Sequence, residues 1–343
     1  MMERNDFTLD DVADALQYLD ESNRDEWIQM GMAIRSEFGD EGFEVWNNWS
    51  SGYAKYDLRV CKTTWRSFRK RGISLGTLVK KAMDAGWKPQ PMDDDTRAEL
   101  AKAAAVRREK AAEQMALDEE KSMQLQNAVA IASVQLLDLL LDEGKSKYLS
   151  SKKVAAFGLK FVQQGVIIET NEDACTVRII SGADDIQAYF KNTPAEDSPI
   201  SFKYLRPGAV VMPLVDYSLL PWNVQIIFES GKKSFLKGGR KSGLFHLISG
   251  EAEADSDVVA VVEGYATGAS VRMATGWNVA VALDSGNIPK VAAMLPDLFY
   301  GKTFVIVADN DVETDGNPGV TKGREAASLI NAYLAVPEFK GAA

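Results

Sequence analysis

The chain is poor in the residues that build disulfides and zinc sites. It has two cysteines, Cys61 and Cys175, which are far apart in sequence, and one histidine, His246. These counts exclude a disulfide framework, a zinc finger and a histidine-rich metal site. No apolar run reaches the length of a membrane span, and the acidic N-terminus lacks the basic and apolar segments of a secretory signal. We therefore expect a cytoplasmic protein with no membrane partner.

The chain also lacks an excess of positive charge. Its formal net charge is -10, and a protein of this charge does not coat nucleic acid indiscriminately, because such binding needs cations placed against phosphates. Local basic patches can still bind nucleic acid. The 343 residues are enough for two or three compact units, each with its own core.

The first part of the chain predicts a small all-α domain followed by a helical connector. Apolar residues recur at helical spacing, beginning with Val12, Ala15 and Leu16. After a break rich in Pro and Asp, a stretch dominated by Ala, Glu, Lys and Arg strongly favours helix. We predict a helical domain over residues 1–88 and a charged helical linker over residues 89–124.

The rest of the chain predicts two parts that contain strands. Short β-rich runs broken by Gly, Pro and Asp indicate a mixed α+β subdomain over residues 125–254. Strands and helices then alternate, which predicts an α/β domain over residues 255–343, with a parallel sheet and helices on both faces. The predicted order is strand 258–262, helix 266–275, strand 278–282, helix 288–295, strand 304–308 and helix 320–334.

Acidic residues follow two buried strands of this α/β domain. Glu263 comes directly after the first strand, and Asp309 and Asp311 follow the third. In open parallel sheets ligands collect at the carboxyl ends of the strands, so these acids should share one edge. Carboxylates gathered there need a cation, and their oxygens suit Mg²⁺ or Mn²⁺, which acts as a Lewis acid and as a template for phosphate. The alternative is that the acids only cap helices.

Four motifs stand in order in the same domain. They are Val-Val-Glu-Gly-Tyr-Ala-Thr-Gly-Ala-Ser (261–270), Ala-Leu-Asp-Ser-Gly-Asn (282–287), Ala-Asp-Asn-Asp (308–311) and Gly-Asn-Pro-Gly (316–319). The series resembles the Toprim domain of phage and plasmid DNA primases. The resemblance implies a Toprim fold in which Glu263, Asp309 and Asp311 bind catalytic metal. Asp284 and Asn287 match the middle motif, and a plain turn is the alternative for them.

A glycine-rich basic segment without acids, residues 231–243, precedes the Toprim motifs. Glycines expose backbone N–H groups and the cations supply charge, as in a cradle for a triphosphate or a template backbone. A solvated loop is the alternative. The segment resembles the one that precedes Toprim in bacterial-type primase catalytic cores. The predicted nucleotide- or template-binding residues are Lys232, Lys233, Lys237, Arg240, Lys241, Gly264, Asp284 and Asn287.

A second basic region, between Tyr53 and Lys81, interleaves cations with aromatic residues. Basic side chains contact phosphates and rings stack on unpaired bases, but the alternative is that Trp65 and Phe68 lie in the core. The longer segment from Asp11 to Trp87, with Trp27, the cluster at residues 46–49 and Trp-Arg-Ser-Phe at residues 65–68, resembles the helical primase-associated domain of phage and plasmid replication proteins. The predicted nucleic-acid contacts are Lys62, Arg66, Arg69, Lys70 and Arg71.

The resemblance implies a metal-dependent DNA primase. Such a nucleotidyltransferase makes short primers on single-stranded DNA from nucleoside triphosphates during phage or plasmid replication in a bacterial host. The chain departs from the usual pattern because it has no zinc-binding module and no phosphate-binding ATPase motif. Strand opening then falls to a separate replicative helicase or to a further part of the protein. A Toprim nuclease and a non-catalytic DNA-binding replication adaptor or inhibitor are the alternatives.

Overall fold

The computed structural model describes residues 7–68, 73–89, 94–195, 198–249, 256–310, 314 and 316–337. The chain divides into two compact units, Met1–Lys121 and Ser122–Ala343. The predicted division into four parts is finer than this and stays a prediction. Among the described residues, no helix is both long enough and apolar enough to cross a membrane.

The first unit is helical. Its helices are α1 (Leu9–Leu16), α2 (Arg24–Phe38), α3 (Phe43–Ser50), α4 (Leu58–Ser67), α5 (Leu75–Asp84) and the first part of α6 (Asp94–Leu139). Short polar residues set the helix starts: Thr8 and Asp11 form a capping box, and the side chains of Asn23 and Asp57 accept hydrogen bonds from the first turns of α2 and α4. The helices pack around the buried Trp46. The predicted all-α N-terminal domain is confirmed.

The second unit contains the rest of α6 and three sheets. Its further elements are α7 (Lys147–Lys152), β1 (Lys160–Phe161), β2 (Val166–Asn171), β3 (Thr176–Ser181), α8 (Ala183–Lys191), β4 (Ile200–Leu205), β5 (Val210–Val215), β6 (Pro221–Ile227), β7 (Lys233–Phe235), β8 (His246–Ile248), β9 (Val258–Val262), α9 (Tyr265–Thr275), β10 (Asn278–Val281), α10 (Ile288–Ala292), α11 (Leu295–Leu298), β11 (Thr303–Val307), α12 (Pro318–Ile330) and β12 (Tyr333–Ala335). Two of the sheets, β1-β5-β6-β7 and β3-β2-β4, are antiparallel throughout. They form the predicted mixed subdomain.

The third sheet has the order β12-β11-β9-β10-β8 and is parallel except for β8 at one edge. Successive residues of its central strands point to opposite faces. Ala260 and Val279 pack with α9, whereas Val259 and Ala280 pack with α10 and α12. Both faces of the sheet are therefore covered, which explains why its central strand β9 is apolar at every position. The predicted parallel sheet with helices on both faces is confirmed.

Two details of the predicted order in this domain are wrong. The last helix ends at Ile330 and not at residue 334, because Asn331 adopts a left-handed backbone conformation with φ 53°. The chain then forms β12, which pairs in parallel with β11. The helix predicted over residues 288–295 is divided into α10 and α11, and a proline stands near the start of each.

Candidate functional site

The acidic residues Glu263 and Asp309 follow adjacent parallel strands. In the register of the sheet, Val262 at the end of β9 pairs with Val307 at the end of β11. Glu263 is the next residue after β9, and Asp309 is the second residue after β11. The two acids thus lie along the same edge of the sheet, as predicted, because parallel strands end on the same side.

This edge is also where the order of the strands reverses. From β9 the chain passes through α9 to β10 on one side, and later returns through α10 and α11 to β11 on the other side. The connections leave on opposite faces of the sheet, so a crevice opens between the ends of β9 and β11. Ligands of open α/β sheets bind at such topological switch points. Glu263 and Asp309 follow the two strands that flank this crevice.

The backbone around Glu263 is held by three unusual contacts. The residue after next, Tyr265, is fully buried, and its hydroxyl accepts a hydrogen bond from Phe157 N (2.6 Å) and donates one to Ala155 O (2.9 Å). Burial raises the pKa of the Tyr265 hydroxyl well above its usual range, so it stays a donor. On the other side, Leu283 N donates to Glu263 O (2.9 Å) although Leu283 has a φ of 79°. Such left-handed strain in leucine is typical of functional sites.

Helix α12 holds the chain around Asp309. A Cβ built on Gly319, in the first turn of α12, would lie 2.3 Å from Asp309 O, so only glycine allows the helix to approach this closely. The loop between β11 and α12 is tied by a hydrogen bond of 2.9 Å from Asn317 Nδ2 to Asn310 Oδ1. The glycine and asparagine residues of the last two motifs therefore fix the position of Asp309.

The donor chemistry at this edge fits a hard divalent cation. Glu263 and Asp309 offer carboxylate oxygens, the ligands that Mg²⁺ and Mn²⁺ prefer. The third predicted ligand, Asp311, lies outside the described residues. Within the described part of the chain, no group of three or more His, Cys, Asp and Glu side chains is arranged to hold a metal ion. The three-carboxylate metal site stays a prediction.

The middle motif connects this edge to the basic loop, which we define as residues 236–243. Asp284 Oδ1 accepts a hydrogen bond from Asn287 N (2.9 Å), which forms the turn after β10. Asn287 is buried: its side-chain oxygen accepts from Gly243 N (2.8 Å), and its Nδ2 donates to Leu244 O (2.9 Å) and Ala282 O (2.8 Å). Asn287 therefore positions the end of the basic loop, and a direct contact with nucleotide stays a prediction.

The cations of the basic loop each contact an acid from another part of the unit. Lys237 Nζ lies 2.5 Å from Glu172 Oε2, Arg240 Nη1 lies 3.6 Å from Asp216 Oδ2, and Lys241 Nζ lies 2.5 Å from Asp284 Oδ2. The Lys237 and Lys241 pairs are half-exposed, whereas Asp216 is buried beside a partly exposed Arg240. Anionic groups of a ligand can compete for these cations. The triphosphate cradle stays a prediction, and the solvated loop stays its alternative.

The remaining predicted cations lie before the loop, Lys233 as the first residue of β7 and Lys232 just ahead of it. Both are exposed. A Cβ built on Gly264 would lie 3.7 Å from Lys233 Nζ, so this ammonium group lies beside the residue that follows Glu263. The structure therefore brings Lys233 and Gly264 together at the acidic edge, whereas among the described residues no contact joins Lys232 to that edge.

The sequence interpretation missed Asn223, which holds the basic loop from β6. It is fully buried, its Nδ2 donates to Arg240 O (2.8 Å), and its Oδ1 accepts from Leu236 N (3.3 Å). A Cβ built on Gly239 would lie 2.3 Å from the same amide nitrogen. A lone asparagine inside an apolar strand was the available signal, since a buried amide needs partners.

The N-terminal predictions have mixed outcomes. Trp65 and Phe68 are buried against Trp46, so the alternative in which these rings belong to the core is correct. Lys62 and Arg66 are exposed and lie one turn apart on α4. Arg69, Lys70 and Arg71 lie outside the described residues. Contact with nucleic acid stays a prediction for all five cations.

His246 is buried, and its ring contacts two backbone carbonyls. Its Nδ1 lies 3.1 Å from Pro213 O and its Nε2 lies 2.9 Å from Phe157 O. Burial lowers the pKa of the imidazole. The ring thus joins β8 to the antiparallel part of the unit.

Two segments of the chain match known protein families. Residues 12–82 match the family Primase C terminal 2 (PriCT-2), and residues 258–338 match the Toprim domain. The first segment contains most of the helical N-terminal domain. The second contains the parallel sheet, together with Glu263, Asp309 and Asp311.

Similar proteins are primases. The chain is 40% identical over 133 residues to a DNA primase TraC of Escherichia coli, a match that covers 37% of this chain and 12% of the relative. A second TraC of Escherichia coli is 38% identical over 133 residues, with 37% and 9% covered. The matched segment is thus about a tenth of the length of these relatives.

Solved structures with distant similarity are primases as well. A DNA primase domain from Pseudomonas aeruginosa is 16% identical with a TM-score of 0.37, and the match covers 59% of this chain and 65% of that one. The Aquifex aeolicus primase (zinc-binding and RNA polymerase domains) is 17% identical with a TM-score of 0.37, with 71% and 62% covered.

The family matches and the TraC relatives agree with the motifs described above. One match includes the acidic edge, and the other includes the helical domain with its exposed cations. With residues 12–82 similar to PriCT-2 and residues 258–338 similar to the Toprim domain, the predicted resemblance to Toprim-domain primases of plasmid and phage type is confirmed.

Proposed function

We propose that this protein is a metal-dependent DNA primase that makes short primers on single-stranded DNA during phage or plasmid replication. The two family matches and the similarity to TraC primases support this function. The observation that carries it is the arrangement of β9 and β11, which lie side by side and are followed by Glu263 and Asp309, with the ammonium group of Lys233 next to Gly264.

The proposed reaction is a nucleotidyl transfer. The 3′-hydroxyl oxygen of the primer bonds to the α-phosphorus of a nucleoside triphosphate, the bond to the bridging β-phosphate oxygen breaks, and pyrophosphate leaves. The hydroxyl proton passes to water. A divalent cation held by Glu263, Asp309 and Asp311 would supply Lewis-acid polarisation of the phosphate.

The protein's own part in this reaction is to position and to neutralise the triphosphate. Lys237, Arg240 and Lys241 would exchange their present carboxylate partners for phosphate oxygens and so offset the negative charge. Holding the triphosphate at the edge next to Glu263 lowers the entropic part of the barrier. The exposed cations of α4 would contact the template, and a separate replicative helicase would open the strands.

The direct test is primer synthesis by the full chain. The protein is incubated with single-stranded DNA and labelled ribonucleotides or deoxyribonucleotides, in Mg²⁺ or Mn²⁺ and again with a chelator. We expect template-dependent products with metal and none with chelator. Nicking of a plasmid without nucleotides, and no primers in any condition, would instead indicate a nuclease.

The basic loop gives a second test, of nucleotide binding. In Lys237→Gln and Arg240→Gln we expect affinity for a fluorescent nucleoside triphosphate to fall roughly 5- to 30-fold each, because each change removes a charge-assisted contact worth about 1–2 kcal/mol. The fall should shrink at high salt.

The control for this test is Lys302→Gln. Lys302 precedes β11 and contacts Asp257 before β9 (3.4 Å), so it lies at the opposite edge of the same sheet. Its replacement should leave nucleotide affinity unchanged. Equal affinity in the wild-type protein and both loop variants would refute a triphosphate role for the loop.

A further inference from the structure

Helix α8 covers the three-stranded sheet with aromatic rings that stay open to solvent. The helix has no buried residue. The Phe190 ring makes edge contacts with the rings of Phe202 (6.1 Å between centroids) and Tyr204 (5.3 Å). Phe190 is 43% exposed and Phe202 is 38% exposed. A helix that only completed a core would bury these rings, so the cluster presents aromatic surface for another purpose.

The aromatic surface continues into a cavity. Phe202 and Tyr204 alternate along β4 and therefore share the face that contacts α8. Tyr204 also lines a cavity of about 390 Å³ together with Arg206 and Phe228. The Arg206 guanidinium lies 5.9 Å from the centroid of the Tyr204 ring. Rings and a cation thus form one strip from α8 to the cavity.

The opposite side of β4 carries positive charge. Lys203 lies between Phe202 and Tyr204 in sequence and so points to the other face. Burial and the ammonium groups of Lys232 and Lys237 lower the pKa of Lys203. Lys203 is therefore separate from the strip, whose cation is Arg206.

The charges on α8 do not oppose an anionic ligand at the strip. The acids of α8, Asp184 and Asp185, lie in its first turn. At the usual rise of an α-helix, they are about 8 Å from Phe190 along the helix axis. On the sheet, Glu169 is paired with Arg178 (2.8 Å). Arg206, the cation of the strip, forms no ion pair with a carboxylate of the described residues.

We infer that Phe190, Phe202 and Tyr204 form a stacking platform for unpaired bases of single-stranded nucleic acid, with its phosphates directed to Arg206. Aromatic rings beside a basic track are how proteins hold single strands without reading their sequence. The inference rests on the proposed function only in taking the bound strand as the template. Binding itself is measured without nucleotides.

The test compares variants that keep apolar bulk but lack the ring. Phe190→Leu, Phe202→Leu and Tyr204→Leu are titrated with a fluorescent single-stranded oligonucleotide and with an abasic one of equal length and charge. We expect each ring loss to weaken binding of the normal oligonucleotide at least about 5-fold and to leave binding of the abasic one unchanged. Tyr300→Leu is the control, because Tyr300 is 94% exposed and lies on the Toprim part.

A second measurement uses the unaltered protein. A strand that contains 5-iododeoxyuridine should form photocrosslinks within residues 183–206. Crosslinks elsewhere only, or ring variants that bind both oligonucleotides like the wild type, would overturn the platform; the latter result would mean that the rings serve a protein partner. If binding depends on the rings but the protein makes no primers, the stacking platform is supported and the proposed primase function is rejected.

Discussion

Glu263→Gln is expected to abolish most primer synthesis while the protein stays folded. The change keeps the size of the side chain but removes the charge that a divalent cation needs. If the cation supplies about 3–5 kcal/mol of transition-state stabilisation, the rate of primer synthesis should fall roughly 10²- to 10⁴-fold. Quantification of labelled primers at saturating nucleotide measures this loss, and a Mn²⁺ titration measures weaker metal binding independently.

A matched surface change separates this effect from a general loss of charge. Asp297 on α11 is an exposed acid of the same unit, and Asp297→Asn should retain full activity and full Mn²⁺ affinity. Circular dichroism should show the same helix content in both variants. Undiminished primer synthesis by Glu263→Gln would remove this residue from the proposed metal site, whatever the template assay shows for the wild type.

Elements with strong local signals could be predicted from the sequence. The strand Val258–Val262 is apolar throughout because it is buried on both faces, and a parallel sheet follows from the helices between its strands. The edge position of β8 could not be predicted, because a strand of three residues is too short to show a pattern of alternating apolar and polar side chains. The strand β12 was assigned to a helix because only the left-handed backbone of Asn331 separates it from α12.

The core role of Trp65 and Phe68 was one of two alternatives from the sequence, and helical spacing favours it. Cys61, Trp65 and Phe68 follow helical spacing and are buried, whereas Lys62 and Arg66 occupy the neighbouring face of α4. The spacing alone divides this helix into a core side and a charged side. Stacking by the rings and contact by the cations were therefore separate hypotheses, and only the second one is still open.

The position of the acidic edge followed from local sequence, whereas its connection to the basic loop did not. Each acid needs only its own strand to be placed at the carboxyl end of the sheet. The partners of the loop cations, Glu172, Asp216 and Asp284, come from three separate turns. Such pairings depend on how distant segments of the chain fold together. The spacing of residues within 231–243 therefore cannot predict them.

The close approach of α12 to Asp309 leads to a prediction that does not involve any charge. Gly319→Ala would place a methyl group 2.3 Å from Asp309 O, a backbone atom that cannot move by itself. Either α12 or the segment that carries Asp309 must shift, at a cost of about 1–3 kcal/mol in the free energy of unfolding. A shift of this kind in a proposed metal ligand should lower primer synthesis roughly 10- to 100-fold.

Ser328→Ala is the control for this prediction, because it puts the same methyl group at an exposed position of α12. Mn²⁺ affinity and primer synthesis should fall together in Gly319→Ala and stay unchanged in Ser328→Ala, while thermal unfolding stays cooperative in both. A Gly319→Ala protein that is less stable but fully active would show that the site tolerates movement of Asp309. The metal would then depend on Glu263 and Asp311, and Asp309 would lose its place among the ligands.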